Sequence, residues 1–182
     1  MQQATFLLRP AVADDVGALH ALIERSALAL SVGFYTHEQT VALTRDIFGV
    51  DSQLLADAGF YLIESDGAIV ACGGWGRRST LCGGDQAKSA PERLLDPATE
   101  AARIRAFFVE PAMARRGLGK MLMAHCAAQA AAAGFGTLEL VSTMPGVPLY
   151  LALGFVEVER FDLVLGGGVR APVARMRRAA LP

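Results

Sequence analysis

Residues 107–120, FFVEPAMARRGLGK, carry the reading of this chain. The apolar run through Phe107, Phe108 and Val109 has the β-rich character of a strand, and Pro111 ends it because proline cannot continue the ladder. Arg115, Arg116, Gly117, Leu118, Gly119 and Lys120 then open an alanine-rich segment, GLGKMLMAHCAAQAAAAGF, which predicts a helix stopped by Gly134. A helix start leaves backbone N–H groups unpaired, and its dipole favours an anion. Two glycines let a ligand approach those donors, and three cations stand beside them, so the stretch suits a phosphate or pyrophosphate. As a bare Gly-x-Gly it equally suits a plain turn flanked by solvated arginines. Spacing excludes two other phosphate loops. A P-loop needs glycine where Ala114 stands and Ser or Thr where Met121 stands, and a dinucleotide fingerprint needs a small residue at Leu122.

Working outward, FLLRP reads as a first strand, and Asp14 as the N-cap of a helix burying Val16, Leu19, Leu22 and Ile23. Thr36 and Gln39 stand at capping-box positions for a second helix, HEQTVALTRDIF. Asp66-Gly67 between GFYLIES and AIVACGGWG predicts a tight hairpin. Residues 77–100 hold no sustained period and form a loop far longer than a hairpin needs. In the alanine-rich helix, Leu118, Met121 and Leu122 are the expected apolar face. Downstream come a strand, TLELVS, a helix of under two turns, GVPLYLALGF, and a closing hairpin about Gly166-Gly167-Gly168. The expected order is β, α, α, β, β, β, α, β, α, β, β, an α+β three-layer fold with helices flanking a mixed central β-sheet. Residues 1–182 read as a single domain, an ordinary size for one core.

Composition narrows the function. The chain carries 17 basic and 18 acidic residues, so net charge draws it to neither nucleic acid nor an anionic membrane. MQQATFLLRP lacks the basic start of a signal peptide, and charged residues such as Glu24 and Arg25 break every apolar tract before a membrane-spanning length. Cys72, Cys82 and Cys126 are odd in number and widely spaced, which points to buried thiols in a reducing compartment, and the chain is expected in the cytoplasm. His125 has no second ligand at helical spacing, so no metal is expected. Trp75 reads as a core residue or a cleft lining, the core being the commoner place for a strand tryptophan, and Arg-Met-Arg-Arg at 175–178 as a solvated strand end rather than a nucleic-acid patch.

FFVEPAMARRGLGKMLM resembles the acyl-CoA-binding signature of the GNAT superfamily of N-acetyltransferases, a strand ending in Val-x-Pro followed by a glycine-rich turn into a helix. PLYLALGF is similar to the family's Tyr-x-x-x-Gly-Phe. Ala114 departs from the family's usual Gln or Arg, and STMPGVP lacks its frequent asparagine, with Ser142 and Thr143 the nearest polar candidates. The resemblance implies acetyl-CoA as cosubstrate. Backbone groups of Arg115, Arg116, Gly117, Leu118, Gly119 and Lys120 would hold its pyrophosphate. Phe107, Phe108 and Val109 would pair with the pantetheine amides and present an N–H to the thioester carbonyl, a strand-addition geometry with an oxyanion donor. It further implies that Tyr150 protonates the departing thiolate, although a lone tyrosine on a short helix is otherwise a packing group. Glu100, Glu110, Asp85 and His37 are the candidate bases, and a water chain is the alternative. Phe34 and Tyr35 are candidates to pack an acceptor, and Glu38 or Asp85 to attract its ammonium. Cys82 or Cys126 would serve a covalent route only with a histidine partner, and none is evident. The expected activity is direct acetyl transfer to a primary amine of a small molecule. The alternatives are a protein amine, or a non-catalytic acyl-CoA-binding domain. The terminal hairpin permits a homodimer.

Overall fold

A computed structural model describes residues 5–88 and 91–181. Met1 to Ala4 of the N-terminal stretch, and Ser89 and Ala90 of the long loop, lie outside the described residues. Seven strands form one sheet: β1 (Leu7–Pro10), β2 (Phe60–Ser65), β3 (Ala68–Gly76), β4 (Ala102–Val109), β5 (Thr137–Thr143), β6 (Val156–Val164) and β7 (Arg170–Ala179). Their spatial order is β1-β2-β3-β4-β5-β7-β6, and β4–β5 is the parallel pair among antiparallel neighbours. The helices are α1 (Val16–Leu30), α2 (His37–Asp46), α3 (Ser52–Ala56), α4 (Leu118–Ala132) and α5 (Val147–Ala152). The mixed sheet between two helical layers is the α+β arrangement expected.

Strand alternation sorts the core onto two faces. Phe60, Leu62 and Cys72 face Leu19, Leu22 and Ile23 of α1 and Leu54 of α3. Tyr61, Ile63, Ala71 and Ile104 face Leu118, Leu122, Met123 and Cys126 of α4. Ala127 and Ala130, also buried, let α4 lie close to the strands. A third cluster joins Ala42 and Leu43 of α2 to Leu165 and Ala171 at the β6–β7 turn. That places α2 beside one mouth of the central cleft described below.

Local chemistry explains the boundaries. The Thr36 hydroxyl accepts the Gln39 N–H at 3.2 Å, and the Gln39 side chain returns the bond to the Thr36 N–H at 3.0 Å, the expected capping box. Asp66 and Gly67 both adopt positive φ, +51° and +78°, as the two-residue hairpin requires. Gly134, at φ +91°, follows the end of α4.

Several expectations are corrected. Asp14 does not cap α1. It lies in a 3₁₀ turn, Ala13–Asp15, and Asp15 accepts the Val12 N–H at 2.8 Å and two bonds from Arg9 at 2.7 and 2.9 Å. Met121 is 37% exposed and Met123 fills the core, because the buried rows run 118-122-126-130 and 119-123-127. The five-residue α3 was not anticipated. It is too short to show a period, and Asp51 caps it by accepting the Leu54 N–H at 3.0 Å. The arginines at 175–178 are not a free strand end, since β7 lies between β5 and β6. Arg175 pairs with Glu159, Arg177 with buried Glu139, and Arg178 sits 5.2 Å over the Phe155 ring. Trp75 packs edge-on to Phe135 in the core, as expected.

Candidate active site

The site begins with an interrupted strand pair. β4 and β5 are in register only at Ala102↔Leu138 and Arg103↔Glu139, after which they separate. On its other side β4 keeps its pairing with β3 but carries one extra residue between Arg105 and Phe108, opposite Gly73. Ala106 holds that bulge at φ +55°, and Gly73 is required there, because a Cβ would stand 2.5 Å from the Phe107 ring. The bulge bends β4 away from β5 and opens a cleft through the sheet.

The cleft holds a cavity of about 230 Å³. Ile104 to Val109 and Leu140 to Thr143 form its two walls. On one side of the sheet it reaches Gly119, Leu149 and Tyr150, and on the other it reaches Ser26, Leu30, Leu43, Phe48 and Cys82. Beyond the bulge, strand alternation fixes the backbone directions. The Glu110 N–H donates to Val70 O on β3 at 2.8 Å, so Phe108 also faces β3. The Val109 N–H therefore points away from β3 and donates to Ser26 Oγ of α1 at 3.2 Å.

Next to the cleft, a 3₁₀ turn at Pro111–Met113 leads to Arg115 at φ +66° and Gly117 at φ +83°, which turn the chain into α4. The Met121 N–H reaches Gly117 O at 2.9 Å, so the N–H groups of Leu118, Gly119 and Lys120 precede the helical ladder. Arg115, Arg116, Gly117 and Lys120 are exposed, and among the described residues none of the three cations forms an ion pair. Gly119 is buried beside Leu149, and a Cβ there would stand 2.9 Å from Leu149 Cδ2. This bare, cationic, donor-rich helix start fits a pyrophosphate, and the cleft that begins beside it fits a slender amide-bearing arm.

Tyr150 belongs to α5 and is 8% exposed, packed edge-on against Phe107 at 6.3 Å and Phe155 at 5.6 Å. Among the described residues no protein group hydrogen-bonds its hydroxyl, and the residue lines the cavity. Burial, with a smaller contribution from Cys126, pushes its pKa well above the ordinary phenol value, so it stays protonated at neutral pH. Phe107, Phe108, Val109, Gly119 and Tyr150 therefore meet in one cavity, while Arg115, Arg116, Gly117, Leu118 and Lys120 surround the helix start beside it. Ser142 and Thr143 line the cavity too, with the Ser142 hydroxyl donating to Thr143 O at 2.7 Å.

The other candidates are placed elsewhere. Glu100 is held by Arg93 at 2.8 and 2.5 Å, Glu110 by Arg25 at 2.8 Å, and Asp85 accepts the Ser52 N–H and hydroxyl. His37 and Glu38 are exposed on the first turn of α2, and Phe34 is 50% exposed outside the cavity. Tyr35 is occupied structurally: its hydroxyl donates to Pro172 O at 2.6 Å and accepts the Met144 N–H at 2.9 Å. Cys72 and Cys126 are buried with their thiols pushed up to about 12 by desolvation, and burial also raises Cys82. A raised pKa keeps each thiol in its weakly nucleophilic protonated form.

Reading by sequence missed Ser26 and the pair Arg105–Asp51. Arg105 is 6% exposed and donates to Asp51 at 3.0 Å, Gly83 O at 2.5 Å and Thr80 O at 3.1 Å, tying the long loop to β4. Arg103 and Arg105 alternate with Ile104, and that pattern resembles an ordinary solvated face.

Among the described residues no helix is long and apolar enough to cross a membrane, and no cluster of His, Cys, Asp and Glu could hold a metal ion.

The acetyltransferase (GNAT) family model matches residues 21–155, which include every residue of the cleft and helix start assigned above. No curated protein matches the sequence significantly. The fold is similar to a GCN5-related N-acetyltransferase from Rhodopseudomonas palustris, at 18% identity and TM-score 0.69 over 98% of each chain. It is also similar to YncA from Salmonella typhimurium, solved with its cofactor acetyl-CoA, at 16% identity and TM-score 0.64 over 98% of this chain and 95% of that one. A third likeness is to the ribosomal-protein-S18-alanine N-acetyltransferase of Escherichia coli, at 17% identity and TM-score 0.58 over 97% and 94%. The match across most of the chain, on the cleft and helix start just described, makes this protein a member of the GNAT family of acetyl-CoA-dependent N-acetyltransferases.

Proposed function

We propose that this protein transfers the acetyl group of acetyl-CoA directly to the primary amine of a small molecule, with both substrates bound in the cleft at once. The observation that carries this reading is that Phe107 and Tyr150, whose hydroxyl no described protein group engages, line one cavity that begins beside the α4 helix start.

Acetyl-CoA supplies an activated thioester carbonyl that an amine can attack with release of a thiol. The backbone N–H groups from Arg115 to Lys120 bind its pyrophosphate, and Arg115, Arg116 and Lys120 neutralise it. Phe107, Phe108 and Val109 hold the pantetheine amides as an added strand, taking the place that β5 vacates. The Phe107 N–H stabilises negative charge developing on the thioester oxygen. Tyr150 donates its proton to the leaving sulfur, its raised pKa keeping that proton in place until charge appears there. The proton shed by the attacking nitrogen passes to solvent, from which Tyr150 is reprotonated.

Two further readings have structural support. The elements from Leu7 to Ala179 all join or pack on one sheet, which supports a single domain over residues 1–182. Three free cysteines, of which Cys72 and Cys126 are buried, support a reducing, cytoplasmic location. The test of function is coenzyme A thiol release from acetyl-CoA across small amines and peptides. Turnover with small amines is the expected result. Turnover restricted to peptides would contradict the small-molecule reading.

A further inference from the structure

The cavity's lining on the α1 and α2 side narrows the acceptor. Leu30, Leu43, Ile47, Phe48, Leu81 and Leu163 make this end of the cavity predominantly apolar. Among the described residues the ionisable groups that line the cavity are Cys82, Arg105 and Tyr150; no carboxylate and no imidazole does. Arg105 is balanced behind the wall by Asp51, which also binds Lys88 at 2.5 Å, and Lys88 lies 3.4 Å from Glu92. A polycation entering here meets a guanidinium and no countercharge, and loses its hydration without replacement.

The same lining bears on proton removal. The attacking amine must be neutral, and no side chain in the cavity is suited to deprotonate an ammonium. An alkylamine of pKa ~10.4 is about 0.1% neutral near pH 7.5, whereas an α-amine of pKa ~7.8 is about one-third neutral. The difference is a few hundredfold in reactive species, without any contribution from the protein.

We infer that the acceptor is a small, weakly basic amine on an apolar body, such as an arylamine or the α-amine of an apolar amino-acid amide. This rests on the acetyl-transfer reading above and specifies its second substrate. A cavity of about 230 Å³ admits the acetyl end together with one ring or branched side chain.

The test uses four amines with the intact protein near pH 7.5. Phenylalaninamide is apolar and weakly basic, phenethylamine apolar and strongly basic, glycinamide weakly basic without the apolar body, and spermidine a polycation. Transfer from acetyl-CoA is followed as kcat/KM, and binding of each amine to the coenzyme A-loaded protein by calorimetry. Phenylalaninamide is expected to exceed glycinamide by about tenfold or more in both readouts. It should exceed phenethylamine by about a hundredfold in transfer, a gap that closes about tenfold per pH unit between about pH 8 and 9.5. Leu30→Glu, at a cavity-lining position that is 36% exposed, should shift the spermidine-to-phenylalaninamide ratio about tenfold or more toward spermidine. Spermidine or glycinamide ahead of phenylalaninamide would overturn the inference. If no amine is acetylated, the transfer reading fails and binding decides separately. Tighter phenylalaninamide would uphold the apolar site, and equal affinities would overturn it.

Discussion

Arg105 donates to Asp51 across 3.0 Å, with only 6% and 3% of the two residues exposed. Their contact joins the cleft strand β4 to the loop that caps α3, and Lys88 completes the cluster on the other Asp51 oxygen. A buried carboxylate with two cationic partners is costly to half-remove, because the loss leaves a desolvated charge behind.

Asp51→Ala should therefore destabilise the fold by about 3–5 kcal/mol, measured by urea unfolding. The pH dependence follows from the same group. Burial alone would raise the Asp51 carboxyl, but hydrogen bonds from Lys88 and Leu54 and the charges of Arg105 and Lys88 outweigh it and hold the carboxyl below its ordinary value. A depressed folded-state value contributes stability above the unfolded carboxyl value of about 3.9, lost as pH falls through the folded value. Wild-type stability should decline with acid below about pH 4, and Asp51→Asn should flatten the slope in that window. An unchanged slope would contradict the pairing.

Tyr35→Phe removes a hydroxyl that bridges β7 and the β5–α5 connection. The Pro172 carbonyl and Met144 N–H lose their partner, so a loss of about 1–3 kcal/mol is expected in thermal or chemical unfolding. A neutral effect would mean that water satisfies both groups.

Gly119→Val places side-chain atoms where Leu149 already stands, beside the cavity. Acetyl-CoA affinity should fall by about tenfold or more while the helical signal in circular dichroism persists. Wild-type affinity in this variant would refute the assignment of the helix start.

Because burial raises Tyr150, its proton is retained across the physiological range. The pH profile of transfer should show no alkaline decline below about pH 10, the ordinary tyrosine value. Its acidic limb should follow the amine acceptor and move when the acceptor is changed. A fixed acidic limb would reveal a protein base in the cleft.

Much of this architecture was readable from local signals. The strand, proline and glycine pattern from Phe107 to Lys120 located the cleft strand and helix start, and Thr36, Asp66-Gly67 and Gly134 marked their boundaries through chemistry confined to a few neighbours. What escaped depends on partners far apart in the chain. Ser26 meets Val109, and Asp51 meets Arg105, only when α1 and the loop fold over β4. Tyr35 was read as an acceptor contact because its hydroxyl partners, Met144 and Pro172, lie more than a hundred residues away. The acidic base candidates lie outside the cavity, each engaged by a contact that its own neighbourhood did not announce.

The most direct test of the account is the chemical step in Tyr150→Phe, measured in single turnovers with saturating acetyl-CoA and an acceptor that supports wild-type transfer. The ring and its packing against Phe107 and Phe155 are kept, and only the proton donor is lost. The account predicts wild-type acetyl-CoA affinity with transfer slowed by about a hundredfold or more. Transfer at the wild-type rate would contradict it, leaving Tyr150 a packing residue and the thiolate's proton to come from elsewhere.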